Sequence, residues 1–216
     1  MAPAMNTVVL KRPRDFVYET MKRRIMMNEL MPGSVLTELG MARELGCSQG
    51  TIREVLFQLQ EDGLVTRAGH RGTMVTRLDA EEAQEILALR RRIEVRGALR
   101  AAQNVQEADL RRIRALLGDM EAAARAEDAF GVMELDMAFH LAVFRLARLE
   151  AMEQILTRCT LHTHRSRVWA PGHRRPLVET ARRHEVLIDK LAAHDGSGLS
   201  VALGEHIDTI VAETAE

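Results

Sequence analysis

Pro32-Gly-Ser-Val-Leu-Thr-Glu-Leu-Gly-Met-Ala-Arg-Glu-Leu-Gly-Cys-Ser48 runs into Gln49-Gly-Thr-Ile-Arg-Glu-Val-Leu-Phe-Gln-Leu-Gln-Glu-Asp-Gly-Leu-Val65. Thr37 supplies a side-chain oxygen to cap a helix over about 37–45, and Gly46 can end it in the left-handed conformation. Ser48 caps a second helix over about 49–61, whose apolar residues Ile52, Val55, Leu56 and Leu59 fall on one face. Gly63 stops that helix. The runs Leu64-Val-Thr-Arg67 and Thr73-Met-Val-Thr76 flank Ala68-Gly-His-Arg-Gly72 and read as a β-hairpin. Upstream, from Asp15, the residues Val17, Met21, Ile25 and Met26 recur at helical spacing until Pro32-Gly33 turns the chain. Three helices and a hairpin wing in this order make a winged helix-turn-helix, a unit that sets its third helix in the major groove of duplex DNA.

The polar face of that third helix carries Ser48, Gln49, Gly50, Thr51 and Arg53 near its N-terminus, where recognition helices touch base edges. Arg53 can bind guanine bidentately or clamp a phosphate, Gln49 can read adenine, and Gly50 lets the backbone approach closely. A solvated Arg53 paired with Glu54 or Glu61 is the plainer alternative. At the hairpin tip, Arg67, His70, Arg71 and Gly72 suit a minor-groove or phosphate contact.

Residues 16–77 resemble the GntR family of bacterial winged-helix repressors. The resemblance rests on Pro32-Gly-Ser-Val-Leu36, Ser48-Gln-Gly-Thr-Ile-Arg-Glu-Val-Leu56, Leu59, Asp62-Gly-Leu-Val65 and the wing from Arg67 to Val75. Arg53 matches the family's helix arginine. Leu39 and Gln49 stand where the family commonly has basic residues, which implies an altered operator.

Composition then divides the chain. Residues 1–78 hold 11 Lys+Arg against 8 Asp+Glu, a net +3, and residues 79–216 a net −4, a modest asymmetry that fits a DNA-contacting unit joined to one that is not. With 3% aromatic residues, the core relies on aliphatic side chains and Met, which favours helices. The expected organisation is a flexible arm over 1–14, the winged unit over 15–78 and an all-helical unit over 79–216. After Asp79, helices fit about 80–103, 107–126, 129–148, 150–168, 177–194 and 199–214, an antiparallel bundle of about six. The fold class is therefore mainly α. Cys47 and Cys159 lack metal-type spacing and read as reduced thiols. No segment approaches the ~20 apolar residues of a membrane span, and the start shows no secretion signal, so no membrane partner and a cytoplasmic location are expected.

In the expected third bundle helix, Asp136 and His140 are four residues apart and share a face with Met133, Val143 and Phe144. Buried, both need partners. His184 precedes Val186, Leu187 and Ile188, and His206 lies among Leu203, Ile207 and Ile210. Three imidazoles and a carboxylate suit Zn²⁺ or Ni²⁺ with positions left open for a ligand. Spacing leaves His162 and His164 as competing ligands, and a lone histidine on an apolar face is more often a hydrogen-bonded core residue than a ligand.

Residues from about 80 to 214 resemble the FCD domain, the helical effector domain of the FadR-type branch of GntR regulators. The matching residues are Leu89-Arg90 with Glu94, Asp136-x-x-Phe139-His140-x-x-Val143, His184 with Ile188, and Glu205-His206-Ile207. The resemblance implies a divalent metal on Asp136, His140, His184 and His206, Zn²⁺ foremost with Ni²⁺ or Mn²⁺ as alternatives. It also implies a carboxylate-bearing metabolite docked against that metal and Arg90. Arg183 replaces the glutamate that usually precedes the third ligand. Arg165, Arg167 and Trp169 are candidates for the pocket mouth.

The expected function is a metabolite-responsive transcriptional regulator, a repressor, that binds a pseudo-palindromic operator as a homodimer. It would not be an enzyme. Rival readings are a metal-sensing regulator without an organic effector, and a metal-dependent enzyme fused to a DNA-binding unit.

Overall fold

A computed structural model describes residues 13–67, 72–169 and 175–209 of the chain. The chain divides into two compact units, Met1–Arg77 and Leu78–Glu216.

In the first unit, α1 spans Pro13–Met26, two residues into the expected arm, because a proline at the first helical position has its φ already set. α2 spans Glu38–Leu45. Thr37 caps it by accepting the Gly40 N–H, and Gly46 ends it at a left-handed φ of 64°. α3 spans Gln49–Glu61 and buries Ile52, Val55, Leu56 and Leu59 against α1 and α2. Each such side chain contributes roughly 1.5–3 kcal/mol on leaving water. Tyr18 ties α1 to the end of α3 by donating its hydroxyl to Asp62 Oδ2 at 2.7 Å.

The wing contains one strand more than the sequence reading provides. β1 (Val35–Leu36) joins β2 (Val65–Arg67) and β3 (Thr73–Val75) in an antiparallel sheet of order β1-β3-β2. The register pairs Val35 with Met74 and Val65 with Val75. Two residues are too few to show an alternation, so β1 is visible only through its partner.

The second unit is a helical bundle. α4 spans Ala80–Asn104 behind an Asp79 capping box closed by Glu82, and α5 spans Glu107–Arg125. α6 spans Ala129–Arg145 and α7 spans Glu150–Trp169. α8 spans Leu177–Arg182, α9 spans Glu185–Ala192, and α10 spans Gly196–Asp208. α4 packs along α10 and α7, and α5 along α6 and α8. The core joins Ala98, Ala102, Ile113, Met120, Phe139, Leu187 and Leu203.

Two helices differ from the periodicity. The helix expected over 177–194 is broken at Arg183-His184, so the bundle has seven helical segments among the described residues. At the break the His184 ring bonds carbonyls of the preceding turn, Ala181 O at 3.0 Å and Thr180 O at 3.2 Å, and competes with the backbone ladder. The last helix starts three residues before the expected 199. Asp195 caps it by accepting the Gly198 N–H at 2.8 Å. Gly196 is there for contact, since a Cβ on it would lie 3.0 Å from the Leu99 Cα of α4. Its expected end at 214 lies outside the described residues.

Candidate functional site

The winged unit keeps its polar edge in water. Ser48 Oγ accepts the Thr51 N–H at 3.0 Å and starts α3, so Ser48, Gln49, Gly50 and Arg53 are exposed and Thr51 half-buried, opposite the apolar face. A Cβ on Gly50 would meet only Ser48 Oγ, at an ordinary 3.6 Å. Arg53 pairs with neither Glu54 nor Glu61. Its Nε donates to Glu38 Oε1 at 3.0 Å and its Nη2 to Glu38 Oε2 at 2.7 Å, across to the first turn of α2. Arg67 ends β2 exposed, and Gly72 re-enters β3 at a φ of 80°. His70 and Arg71 lie outside the described residues.

The bundle does the opposite and buries its polar residues. Asp136 and His140 lie one turn apart on α6, His184 stands at the α8–α9 break, and His206 lies near the end of α10. One donor atom from each lies within 4.8 Å of the others, and all four residues are buried. His184 Nε2 is 3.1 Å from Asp136 Oδ1, and His140 Nε2 is 3.3 Å from His206 Nε2. Phe139 walls the cluster edge-on to His184, their ring centroids 4.7 Å apart.

Second partners fix which nitrogens carry hydrogen. The His184 Nδ1 faces carbonyl oxygens, which only accept, so Nδ1 donates and Nε2 presents its lone pair. His140 Nδ1 donates to Glu94 Oε2 at 2.5 Å, which turns its Nε2 lone pair inward as well. Asp136 Oδ2 and His184 Nε2 make no hydrogen bond of acceptable geometry, although both are fully buried. Inward lone pairs crowded against a carboxylate repel one another, and a cation among them removes the repulsion. This N₃O set could hold a divalent metal.

Protonation states agree with that use. Burial pushes the Asp136 carboxyl up, but the neighbouring imidazoles of His140 and His164 outweigh it and hold the group well below the usual carboxylate range. Burial, reinforced by His184 and His140, keeps His206 neutral well below its ordinary value. Glu94 also resists a burial-driven rise, because His140 and Arg90 bring it down to about 2.

Glu94 belongs to this buried network, although the sequence reading used it only as a matching feature. It joins Arg90, whose Nε donates to Glu94 Oε1 at 2.7 Å, to His140. The Arg90–Glu94 spacing on one helix was legible, whereas the link to His140 spans 46 residues. His164, kept open as a competing ligand, lies with Nε2 3.1 Å from Asp136 Oδ2 but outside the four-donor group. His162 is buried elsewhere, and burial, with Arg165 and Arg158, lowers it to about 4.

Arg90 is fully buried. Its Nη2 stays 3.8 Å from Asp136 Oδ2, and neither Nη atom has a hydrogen-bond partner. Arg165 is also fully buried, and burial lowers it to about 10. The side chains of Arg167 and Trp169 lie outside the described ones. His206 also lines a groove of about 440 Å³ with Arg182, Arg183, Glu185 and Glu205, whereas Asp136, His140 and His184 do not line it.

A capped third helix with a wing, followed by a helical bundle built around buried histidines and a carboxylate, is the architecture of a DNA-binding regulator. Residues 13–75 match the model of the bacterial regulatory proteins of the gntR family, and residues 85–209 match that of the FCD domain. The chain belongs to the GntR family of transcriptional regulators and carries the FCD domain. It is similar to the transcriptional repressor RspR of Escherichia coli K12, 23% identical over 90% of this chain and 85% of the relative. The transcriptional regulator LutR of Bacillus subtilis 168 is 25% identical over 86% of this chain and 94% of its own length. Among solved structures, E. coli McbR/YncC shares the fold with a TM-score of 0.78 at 21% identity, covering 93% of this chain and 96% of the other. Among the described residues, no helix is long and apolar enough to cross a membrane.

Proposed function

We propose that the bundle senses a small carboxylate-bearing metabolite and thereby changes how a homodimer of this chain binds its operator, with repression as the DNA-bound state. The observation that carries this reading is Arg90. In this fully buried guanidinium neither Nη atom makes a hydrogen bond, and a carboxylate satisfies both at once.

Asp136, His140, His184 and His206 would hold the metal, with Zn²⁺ the best match to their N₃O chemistry and Ni²⁺ or Mn²⁺ next. A bound metal would supply a fixed positive charge for the metabolite's oxygens. Glu94 would keep His140 in its ligating tautomer, and the groove that His206 lines is the candidate entry. Since Glu94 is gripped by Arg90 and His140 together, it is not free to act as a general base, which favours binding over turnover. Arg53, Gln49, Gly50, Thr51 and Ser48 would meet the major groove, and Arg67, His70, Arg71 and Gly72 the backbone or minor groove. A metabolite with different affinity for two arrangements of the dimer shifts their populations and so the operator affinity.

The test is metal analysis of the purified protein, then thermal melting and gel shift with a panel of organic and sugar acids. An acid at ~100 times its Kd should add about 2.7 kcal/mol of stability and alter operator affinity, with both effects lost in Arg90→Gln. An acid response retained by Arg90→Gln would refute the proposed site. Responses that follow metal and ignore every acid would make the metal itself the signal.

A further inference from the structure

The water-facing edge of the winged unit carries a carboxylate among its arginines. Glu38 lies in the first turn of α2, and its two oxygens take the Nε and Nη2 of Arg53 on α3. The Arg53 hydrogen bonds, helped by the Arg67 charge from the end of β2, hold the Glu38 carboxyl below its ordinary value despite some desolvation. One acid therefore interacts with both the reading-helix arginine and the wing arginine. Beside a polyphosphate a carboxylate opposes binding, so its place there calls for another role.

The geometry of the grip supplies one. Glu38 holds the guanidinium side-on, through its Nε–Nη2 edge. The Nη1 and Nη2 hydrogens at the far end stay available as a fork, the arrangement that binds guanine O6 and N7 together. We propose that Glu38 is a specificity-determining positioning residue, which fixes Arg53 with its end-on fork toward a base edge and weakens indiscriminate attachment to phosphates. The proposal rests on Arg53 reading DNA, and its test separates the two.

Duplexes are selected from a randomised library with the wild-type full-length protein, and affinities are measured for a selected duplex and its scrambled counterpart. Glu38→Gln keeps the side-chain shape and removes the charge. It should lower the selected-to-scrambled affinity ratio about tenfold while raising affinity for the scrambled duplex at low salt. Thr37→Ala, which removes the α2 cap without touching Arg53, should leave the ratio alone. An unchanged ratio in Glu38→Gln, or an equal fall in Thr37→Ala, overturns the positioning role. If Arg53→Ala also leaves the ratio unchanged, the reading helix itself is misassigned and the proposal falls with it.

Discussion

Arg53–Glu38 and Arg90–Glu94 close at the same 2.7 Å, yet their side chains are 63% and 32% exposed in the first pair and 0% and 2% in the second. The first pair sits in water, where attraction is screened, so it adds little to stability while leaving the end-on face of Arg53 open to solution. The second sits in a low-dielectric interior. There neither charge can be given up, and Glu94 must serve Arg90 and His140 together. The same chemistry thus makes a screened pair at the surface and a scaffold in the core. The largest expected effect breaks the scaffold. Glu94→Gln should lower stability by roughly 3–5 kcal/mol in urea unfolding, because it strands a buried guanidinium. The double variant Arg90→Met/Glu94→Leu should recover most of that loss. Glu38→Gln should leave the unfolding midpoint unchanged, and a large loss there would erase the distinction between the pairs.

The two units should also part in their response to acid. In the bundle, His206 and His162 have folded pKa values below the ordinary 6.5, and Glu94 and Asp136 lie below theirs. Each group therefore holds fewer protons folded than unfolded, and its stabilisation is lost as pH falls from the unfolded pKa toward the folded one. For the histidines that loss starts near pH 6.5 and for His162 runs to about 4, and for Glu94 it runs from 4.5 to about 2. Metal-free protein should lose roughly 1–3 kcal/mol of bundle stability from the histidines before the carboxylates titrate. Bound metal should steepen the acid loss, since protons compete for the same nitrogens. Among the described residues, the winged unit contains no histidine. Amide exchange followed from about pH 7.5 to about pH 5 should show protection falling in the bundle and holding in the winged unit. Parallel loss in both units would sink this contrast.

What the sequence disclosed follows the same divide. Helix starts were legible where a short polar side chain stands before an apolar stripe: Thr37 and Ser48 each cap the helix that follows. Asp136 and His140 were legible as partners because four residues bring them to one helical face. β1 was hidden because its two residues gain meaning only beside β3. The break at His184 was hidden because its cause is a ring bonding its own helix, and periodicity records side-chain faces rather than such bonds. Gly196 misled for a related reason: a residue that usually ends helices serves here as a contact with Leu99. Glu94 and Glu38 acquire their roles through partners 46 and 15 residues away, distances over which one sequence carries no pairing signal.

The smallest expected effect on stability sharpens the surface half of the comparison. Gly50 lies in the first turn of α3, and a methyl group there would meet Ser48 Oγ at an ordinary van der Waals distance. Nothing in the fold calls for a glycine. Gly50→Ala should therefore stabilise the winged unit slightly, by about a few tenths of a kcal/mol, through lower chain entropy in the unfolded state. If the α3 backbone approaches DNA at this position, the same methyl group should weaken binding to a selected duplex. A gain in melting temperature together with a loss in gel-shift affinity would mean that position 50 is shaped by the partner rather than by the fold. Unchanged affinity would place the first turn of α3 away from the DNA and leave Arg53 to read from further along the helix.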